Sequence, residues 1–481
     1  MGAEQNHGYQ LVAALFVRLL GVFYLIAFAS IGVQIEGLAG SAGILPLAQT
    51  LAEIQSHTGL ERYFQFPTLF WLNAGDSALT GAALAGCIAA LLIVFDRLAR
   101  PALTLAFALY LSLYHAGQEF LTFQWDGLLL EAGFLAIFLT PRSRLVVLLF
   151  RWLLFRLRFL SGLSKLTLQD PTWSGLTALN YYFEVQPLPT PLAWYAHQLP
   201  DWLLKTGTAA TLVVEILVPF MMFLPRRWRF AAAWITIFWQ LLIILTSNHN
   251  WFNFLTIALC LFLFDDRALQ RVVPESVRRA LLPRPAPAAR ALPARRLASA
   301  TLAGVVLLVS SVQIWELATL KRSSGIIGSA LDYAEAFRVV NKYHVFATMK
   351  TERIELELQG SPDGNSWQPY VFKYKPGDPG RRPPVVMPHQ PRLDWRMWFV
   401  TMHPQHLRWF EPFVQALLQN SPAVTALLEH NPFADGPPRY IRVMAYRYRF
   451  SSPAQREHTG DWWQREPLGA FTPLPWLERT P

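Results

Sequence analysis

Hydrophobic positions along this chain gather in blocks of about twenty residues. A helix that crosses a bilayer needs about 20 largely apolar residues to span its hydrocarbon core. Such blocks occupy roughly 9–31, 78–95, 101–117, 125–140, 145–163, 206–224, 230–246, 251–264 and 298–317, which predicts about nine transmembrane helices. After residue 320 the pattern changes. "RIELELQG" (353–360) alternates as a half-buried strand does, "SPDGNS" reads as a turn, and "WQPYVFKYK" (367–375) supplies the second strand of a hairpin. "LRWFEPFVQALLQ" (407–419) and "SPAVTALLEH" (421–430) read as helices, the second with Ser421 as N-cap, and "RYIRVMAYRYRF" (439–450) alternates again. The predicted architecture is a polytopic α-helical membrane protein. It comprises a transmembrane bundle (1–264), a basic Ala/Pro/Arg-rich cytoplasmic linker (265–297) and a last transmembrane helix (298–317). A C-terminal extracytoplasmic α+β or mainly β domain (320–481) follows, long enough for its own core.

Charge placement orients the bundle. Arginines interrupt the apolar sequence in "FDRLARP" (95–101), "PRSR" (141–144) and "PRRWR" (225–229), and the linker adds Arg267, Arg271, Arg278, Arg279, Arg284, Arg290, Arg295 and Arg296. The intervening loops hold only Arg62 and Lys165, with Lys205 just beyond. Lys and Arg resist translocation, so the N-terminus should be cytoplasmic, and an odd number of spans exports everything after about 320. "RWLLFRLRF" (151–159) is the difficult segment. A cation at the bilayer centre costs at least about 2.5–3.5 kcal/mol, so Arg151, Arg156 and Arg158 must snorkel, pair, or lie on an interfacial helix. If that segment does not span, the downstream topology inverts.

Composition agrees with a membrane protein. The chain is 53% hydrophobic and 15% charged, against about 25% charged in ordinary soluble domains. The net charge of +10 falls in short runs between apolar blocks, which argues against a nucleic-acid-binding face. Cys87 and Cys260 both sit in apolar runs and form no zinc or disulfide pattern. The run from Leu11 has no evident cleavage site and reads as a first span.

Two groups of residues carry candidate chemistry. The first is "KPGDPGRRPPVVMPHQPRLDW" (375–395), a basic, proline-studded segment. Proline pre-sets an extended backbone, Arg381, Arg382 and Arg392 offer forked donors, and Trp395, Trp398 and Phe399 are apolar anchors. That combination suits a partner-binding ledge, or else an internal brace in which Asp394 pairs an arginine and the tryptophans are buried. The second group is polar and lies at membrane depth: Asp126, Glu131, Lys165, Glu215, Asn248, His249, Asn250 and Asn253. Such residues are costly there and mark function by default. Asp126 and Glu131 are five apart and should pair separately, with Arg156 or Arg18 as partners. Lys165 reads as snorkelling to the outer interface, or as a base if held in an apolar pocket. His249 reads as a hydrogen-bonding residue at a helix end, with base or ligand as alternatives. No three of these residues have metal-ligand spacing, and no nucleophile elbow or Walker loop is present.

The stretches "ELELQGSPDGNSWQPYVFKYKPGDPGRRPPVVMPHQPRLDWRMWF", "HNPFADGPPRYIRVMAYRYRF" and "WWQREPLGAF" resemble the C-terminal domain of the lipase maturation factor family. The resemblance continues through "WDGLLLEAGFLAIFL" and "SGLSKLTLQDPTWSGLTALNYYFEVQPLPTP" in the membrane region. It implies a non-enzymatic, chaperone-like factor in contact with the lipid bilayer and with secreted clients such as lipases, without a cofactor. In animals the location implied is the endoplasmic reticulum membrane. The Ala, Arg and Pro content here suggests a bacterial-type member, in the cytoplasmic membrane with its tail in the periplasm. The membrane core is also distantly similar to vitamin K-dependent γ-glutamyl carboxylase. That likeness implies an alternative, an enzyme using Lys165 and His249 on a reduced quinone or an exported polypeptide.

Overall fold

The computed structural model describes residues 8–140, 144–282 and 293–479. Among these residues, helices occupy each of the predicted apolar blocks: α1 (Gln10–Gly32), α2 (Asp76–Val94), α3 (Ala99–Ala116), α4 (Gln124–Phe138), α5 (Arg144–Thr167), α6 (Asp201–Ile216), α7 (Arg226–Thr246), α8 (Phe252–Leu259) and α9 (Pro293–Thr319). Four of them, α1, α2, α7 and α9, are long and apolar enough to cross a membrane. On α7, Trp234, Phe238, Leu241 and Leu245 remain exposed, one apolar stripe that suits hydrocarbon better than water.

The arginines of 151–159 are accommodated by pairing. Arg156 is fully buried and ion-pairs with Glu131. Arg158 faces Glu215 at 3.4 Å. Arg151 donates to the Phe262 carbonyl at 2.8 Å and to the Tyr9 hydroxyl at 2.5 Å. Arg18 pairs with Asp96 instead.

At the arginine-rich end of the bundle, Asp265 accepts from Arg226 at 2.7 Å. Asp266 accepts from the Gln10, Leu11 and Val12 amides at 2.7–3.1 Å, satisfying three of the free donors at the start of α1. The Ala, Pro and Arg content of the 265–297 linker predicts a loose connection. Its first part is instead anchored by these two carboxylates and carries short helices at Asp266–Leu269 and Glu275–Leu281. The remainder of that basic stretch, 283–292, and residues 141–143 of the 141–144 cluster lie outside the described residues.

The tail packs on the other end of the bundle. Its antiparallel sheet comprises β1 (Arg353–Ser361), β2 (Gln368–Pro369), β3 (Tyr440–Phe450), β4 (Trp463–Ala470) and β5 (Trp476–Glu478). The order is β2-β1-β3-β4, with β5 also on β3. β1 and β3 pair from Arg353↔Tyr448 to Ser361↔Tyr440, and alternation buries Ile441, Val443 and Ala445 while Arg442 and Met444 face outward. The predicted second hairpin strand shrinks to two residues. Pro369 lacks a donor, and the amides of Tyr374 and Lys375 donate to Asp394 Oδ1 at 2.7 and 2.9 Å rather than to a strand. The helix expected at 421–430 is a single turn, Pro422–Thr425, because the Ser421 hydroxyl donates to the Ala42 carbonyl at 2.7 Å and does not cap it.

Two tail helices, α10 (Arg392–Met397) and α11 (Leu407–Leu418), join tail to bundle. The tail's Leu393, Trp395, Trp409, Phe413 and Val443 belong to the same buried cluster as Leu20, Leu128 and Leu153 of the bundle. An independent core for 320–481 is therefore not what forms.

The proline-rich segment is a strap across the helix ends. Asn248 holds it from the loop after α7, donating to the Pro384 carbonyl at 2.9 Å and accepting from the Val386 amide at 2.7 Å. Ser30 and Gln34 of the α1 end hold Gln390 through its backbone, and Asn250 donates to the Gln390 side chain at 2.7 Å. Arg392 then enters the bundle. Its fork donates to both oxygens of Asp126 at 2.6 and 2.8 Å, with neither side chain exposed, and Tyr110 donates to the same carboxylate at 2.6 Å. A second network centres on Glu131, whose free oxygen accepts from the Asn341 amide at 2.9 Å and the Tyr343 hydroxyl at 2.8 Å.

Removing one partner of a buried, hydrogen-bonded ion pair costs about 3–5 kcal/mol, whereas replacing both with apolar groups costs far less. Arg392→Met and Asp126→Leu should each lower thermal stability by about that amount, and the double variant by clearly less than the sum. Intrinsic fluorescence during heating of the purified protein checks this, and additive losses would rule out the coupling. His389 makes a second test. Burial, then the charges of Arg392 and Lys373, lowers its pKa from 6.5 to about 4, and its ring contacts Ser30 Oγ at 3.0 Å. The unfolded chain binds this proton first, so stability should fall as pH drops from about 6.5 toward 4. His389→Gln should make that fall shallower in melting curves recorded across the range.

Candidate functional site

Where α5, α6, α7 and α8 meet the tail they line a partly open cavity of about 550 Å³. Its wall is mostly apolar, from Leu179, Leu203 and Leu204 to Leu242, Ile243 and Phe252, and Val345, Phe346 and Met349 of the tail close one side. Polar groups stand out against that wall: Arg158, Lys165, Glu215, Gln240, His249 and Asn253. All six are buried.

Lys165 belongs to the last turns of α5. It does not snorkel to the interface. It is buried, with Nζ 2.8 Å from Glu215 Oε2, donating to the Val345 carbonyl at 2.7 Å and the Ser161 carbonyl at 3.2 Å. The Trp173 ring lies 4.9 Å away. The reason is geometric: tail residues around Val345 cover the end of α5 where water would otherwise have received the ammonium. With three donors engaged, Lys165 holds the tail to α6, and service as a base would first require releasing a proton and the Glu215 contact. Arg158 sits two turns earlier on α5, on the other oxygen of Glu215. The cluster thus joins two cations to one carboxylate.

His249 differs from its expected role at a helix end. Its Nε2 has no hydrogen-bond partner among the described residues, and its ring stands edge-on to Phe346 and Trp395, centroids 5.7 and 5.5 Å away. Asn253, one turn along, and Gln240 of α7 also leave their amide nitrogens unpartnered. Lys165, Glu215, His249 and Asn253 therefore share one cavity. Asp126 and Glu131 do not reach it; they hold Arg392 and Arg156. Asn248 also serves the strap.

The partner-binding reading of 381–398 needs correcting for most of its residues. Arg392, Asp394 and Trp395 are buried, because the strap folds inward onto the bundle. Asp394 accepts from backbone amides and, among the described residues, forms no ion pair with an arginine. Trp398 is half-buried and donates to the Val185 carbonyl at 2.6 Å. Arg381 pairs with Glu429 at 2.6 Å and donates to the Phe372 carbonyl at 2.8 Å. Arg382 stays exposed, with its guanidinium 5.8 Å from the Trp462 ring.

Several contributors escaped sequence reading. Gln240 is one polar residue inside an apolar block. Asn341 and Tyr343 precede the first tail strand in a stretch without pattern. Arg353 starts a strand whose alternation reads as half-buried, which puts a polar residue like it on the open face, yet it is buried and donates to the carbonyls of Glu184 at 2.8 Å, Gln186 at 2.5 Å and Pro187 at 2.9 Å while pairing with Glu355 at 2.6 Å. An unusually long-range polar role leaves no local signal.

Comparison with known proteins agrees with this two-part construction. The model of the lipase maturation factor transmembrane domain matches residues 11–271, and that of the lipase maturation factor C-terminal domain matches 339–473. Lipase maturation factor 2 of Gallus gallus is 35% identical over 95% of this chain and 80% of its own length. The Homo sapiens protein of that name is 34% identical over 97% and 83%, and lipase maturation factor 1 of Mus musculus 33% over 96% and 87%. No solved structure gives a significant match. With both parts matched and whole-length relatives above 30% identity, this membrane protein belongs to the lipase maturation factor family.

Proposed function

We propose that this chain is an integral membrane factor that brings secreted lipases to their active state, working through its tail and without chemistry of its own. The observation that carries this reading is the match of relatives named lipase maturation factor along almost the whole chain, membrane part and tail alike. Placement of charge supports the orientation. Arginines cluster at the end marked by Asp265 and Asp266, and the tail packs on the opposite end. Under the positive-inside rule the tail is extracytoplasmic, in the cytoplasmic membrane of a bacterium or, for eukaryotic relatives, in the endoplasmic reticulum. Any odd number of crossings before residue 320, starting from a cytoplasmic N-terminus, gives the same side for the tail.

A second reading has one observation in its favour: Lys165 and His249 line the same cavity, as an enzyme acting on a reduced quinone would require. Against it, Lys165 is engaged by Glu215 and two carbonyls.

The test is co-expression with a secreted lipase, scoring activity per lipase molecule. The chain should raise that ratio several-fold, and no rise would overturn the maturation role. Deleting 320–481 is a poor probe, since it strips Asp126 of its buried cation. Lys165→Met serves better. Activity per molecule of folded factor should stay near wild type, whereas the enzymatic reading requires it to vanish at undiminished protein level.

A further inference from the structure

The cavity between α5–α8 and the tail has a polar wall that is unfinished in a consistent way. Arg158 Nε and Nη2, Gln240 Nε2, Asn253 Nδ2 and His249 Nε2 have no hydrogen-bond partner among the described residues. All four side chains are more than nine-tenths buried and all line the cavity. Buried polar groups are normally paired, and one left without a partner is destabilising. Four of the unmet side chains offer donors: a guanidinium, two amides, and an imidazole nitrogen that donates in one of its tautomers. The one unmet acceptor among the described residues of the wall, Glu215 Oε2, is held as an ion pair by Lys165 at 2.8 Å. Charge points the same way. The ionised residues on the wall are Lys165, Arg158 and Glu215. Lys165 is closed off by Glu215 and two carbonyls, while Arg158 reaches the same carboxylate only at 3.4 Å. One positive charge is left over beside three neutral groups able to donate.

The rest of the lining is apolar, and its volume of about 550 Å³ falls within the range of lipid-sized and drug-sized ligand sites. A ligand that completes this wall has an anionic, acceptor-only head for Arg158, Gln240 and Asn253, and an extended hydrocarbon body for the leucines. We propose that the cavity is a binding site for a single-chain amphiphile with a carboxylate head, a long-chain fatty acid. Arg158 binds the carboxylate as a charge-assisted fork, and the amides of Gln240 and Asn253 take its remaining lone pairs. A neutral quinone offers isolated carbonyls and leaves the Arg158 charge uncompensated. This site is independent of which client the tail serves.

The experiment uses the full chain in phosphatidylcholine nanodiscs, with a fluorescent polyene fatty acid as probe and empty nanodiscs as blank. Saturable binding above the blank should be displaced by palmitate, and at least tenfold less well by methyl palmitate, which keeps the tail and loses the charge. Arg158→Gln should weaken probe binding at least tenfold. Should that variant fail to fold, Gln240→Leu decides the matter: it removes an unpartnered donor and leaves none behind, so its melting temperature should hold while affinity drops several-fold. Binding no greater than the blank, equal displacement by the ester or by a short-chain quinone, or wild-type affinity in the folded variants would each overturn the assignment.

Discussion

A carboxylate sealed inside a helical bundle must have a cation at hydrogen-bonding distance, and Asp126 takes its cation from Arg392, 266 residues downstream. Isolated burial of either charge would be prohibitive, so bundle and tail are each incomplete alone. That requirement explains features with no other evident cause. The proline-rich strap exists to deliver Arg392 to the mouth of the bundle. Asn248, Ser30 and Gln34 are polar at helix ends because they guide the strap there. The shared hydrophobic core follows once the strap is seated.

The helices were largely legible in the sequence, since a block of twenty apolar residues carries its own meaning. Pairing within the bundle was partly legible as well. Glu131 and Arg156 are 25 residues apart on successive apolar segments, and both needed a partner. What stayed hidden was everything that depends on the tail folding back. Lys165 read as a residue reaching for water, because nothing local says that Val345 covers it. The 381–398 segment left an external ledge and an internal brace undecided for the same reason: arginines and tryptophans look alike in sequence whether they meet a partner protein or the chain's own helices. The second hairpin strand failed on a finer point, as the amides of Tyr374 and Lys375 had a carboxylate waiting nineteen or twenty positions on.

Family membership and cavity sit together without strain. A folding factor needs a rigid platform that presents a surface on the proper side of the membrane, and the buried ion networks supply rigidity. Nothing in that task requires a deep apolar pocket lined with idle donors. The pocket lies at the seam of bundle and tail, with Val345, Phe346 and Met349 contributed by the tail. Whatever occupies it touches both halves, so occupancy and the firmness of the seam are thermodynamically linked.

The wide separation of Asp126 from Arg392 also bears on biosynthesis. Translation proceeds at about 5–20 residues per second, so the ribosome is occupied for tens of seconds between making the acid and making its counter-ion. Glu131 meets Arg156 early, within the same pair of hairpinned helices, but Asp126 waits as a lone acid in the lipid-embedded half. A nascent or truncated molecule therefore carries at Asp126 an acid that must hold a proton or stay hydrated, and the arrival of Arg392 is what lets it be buried as a carboxylate.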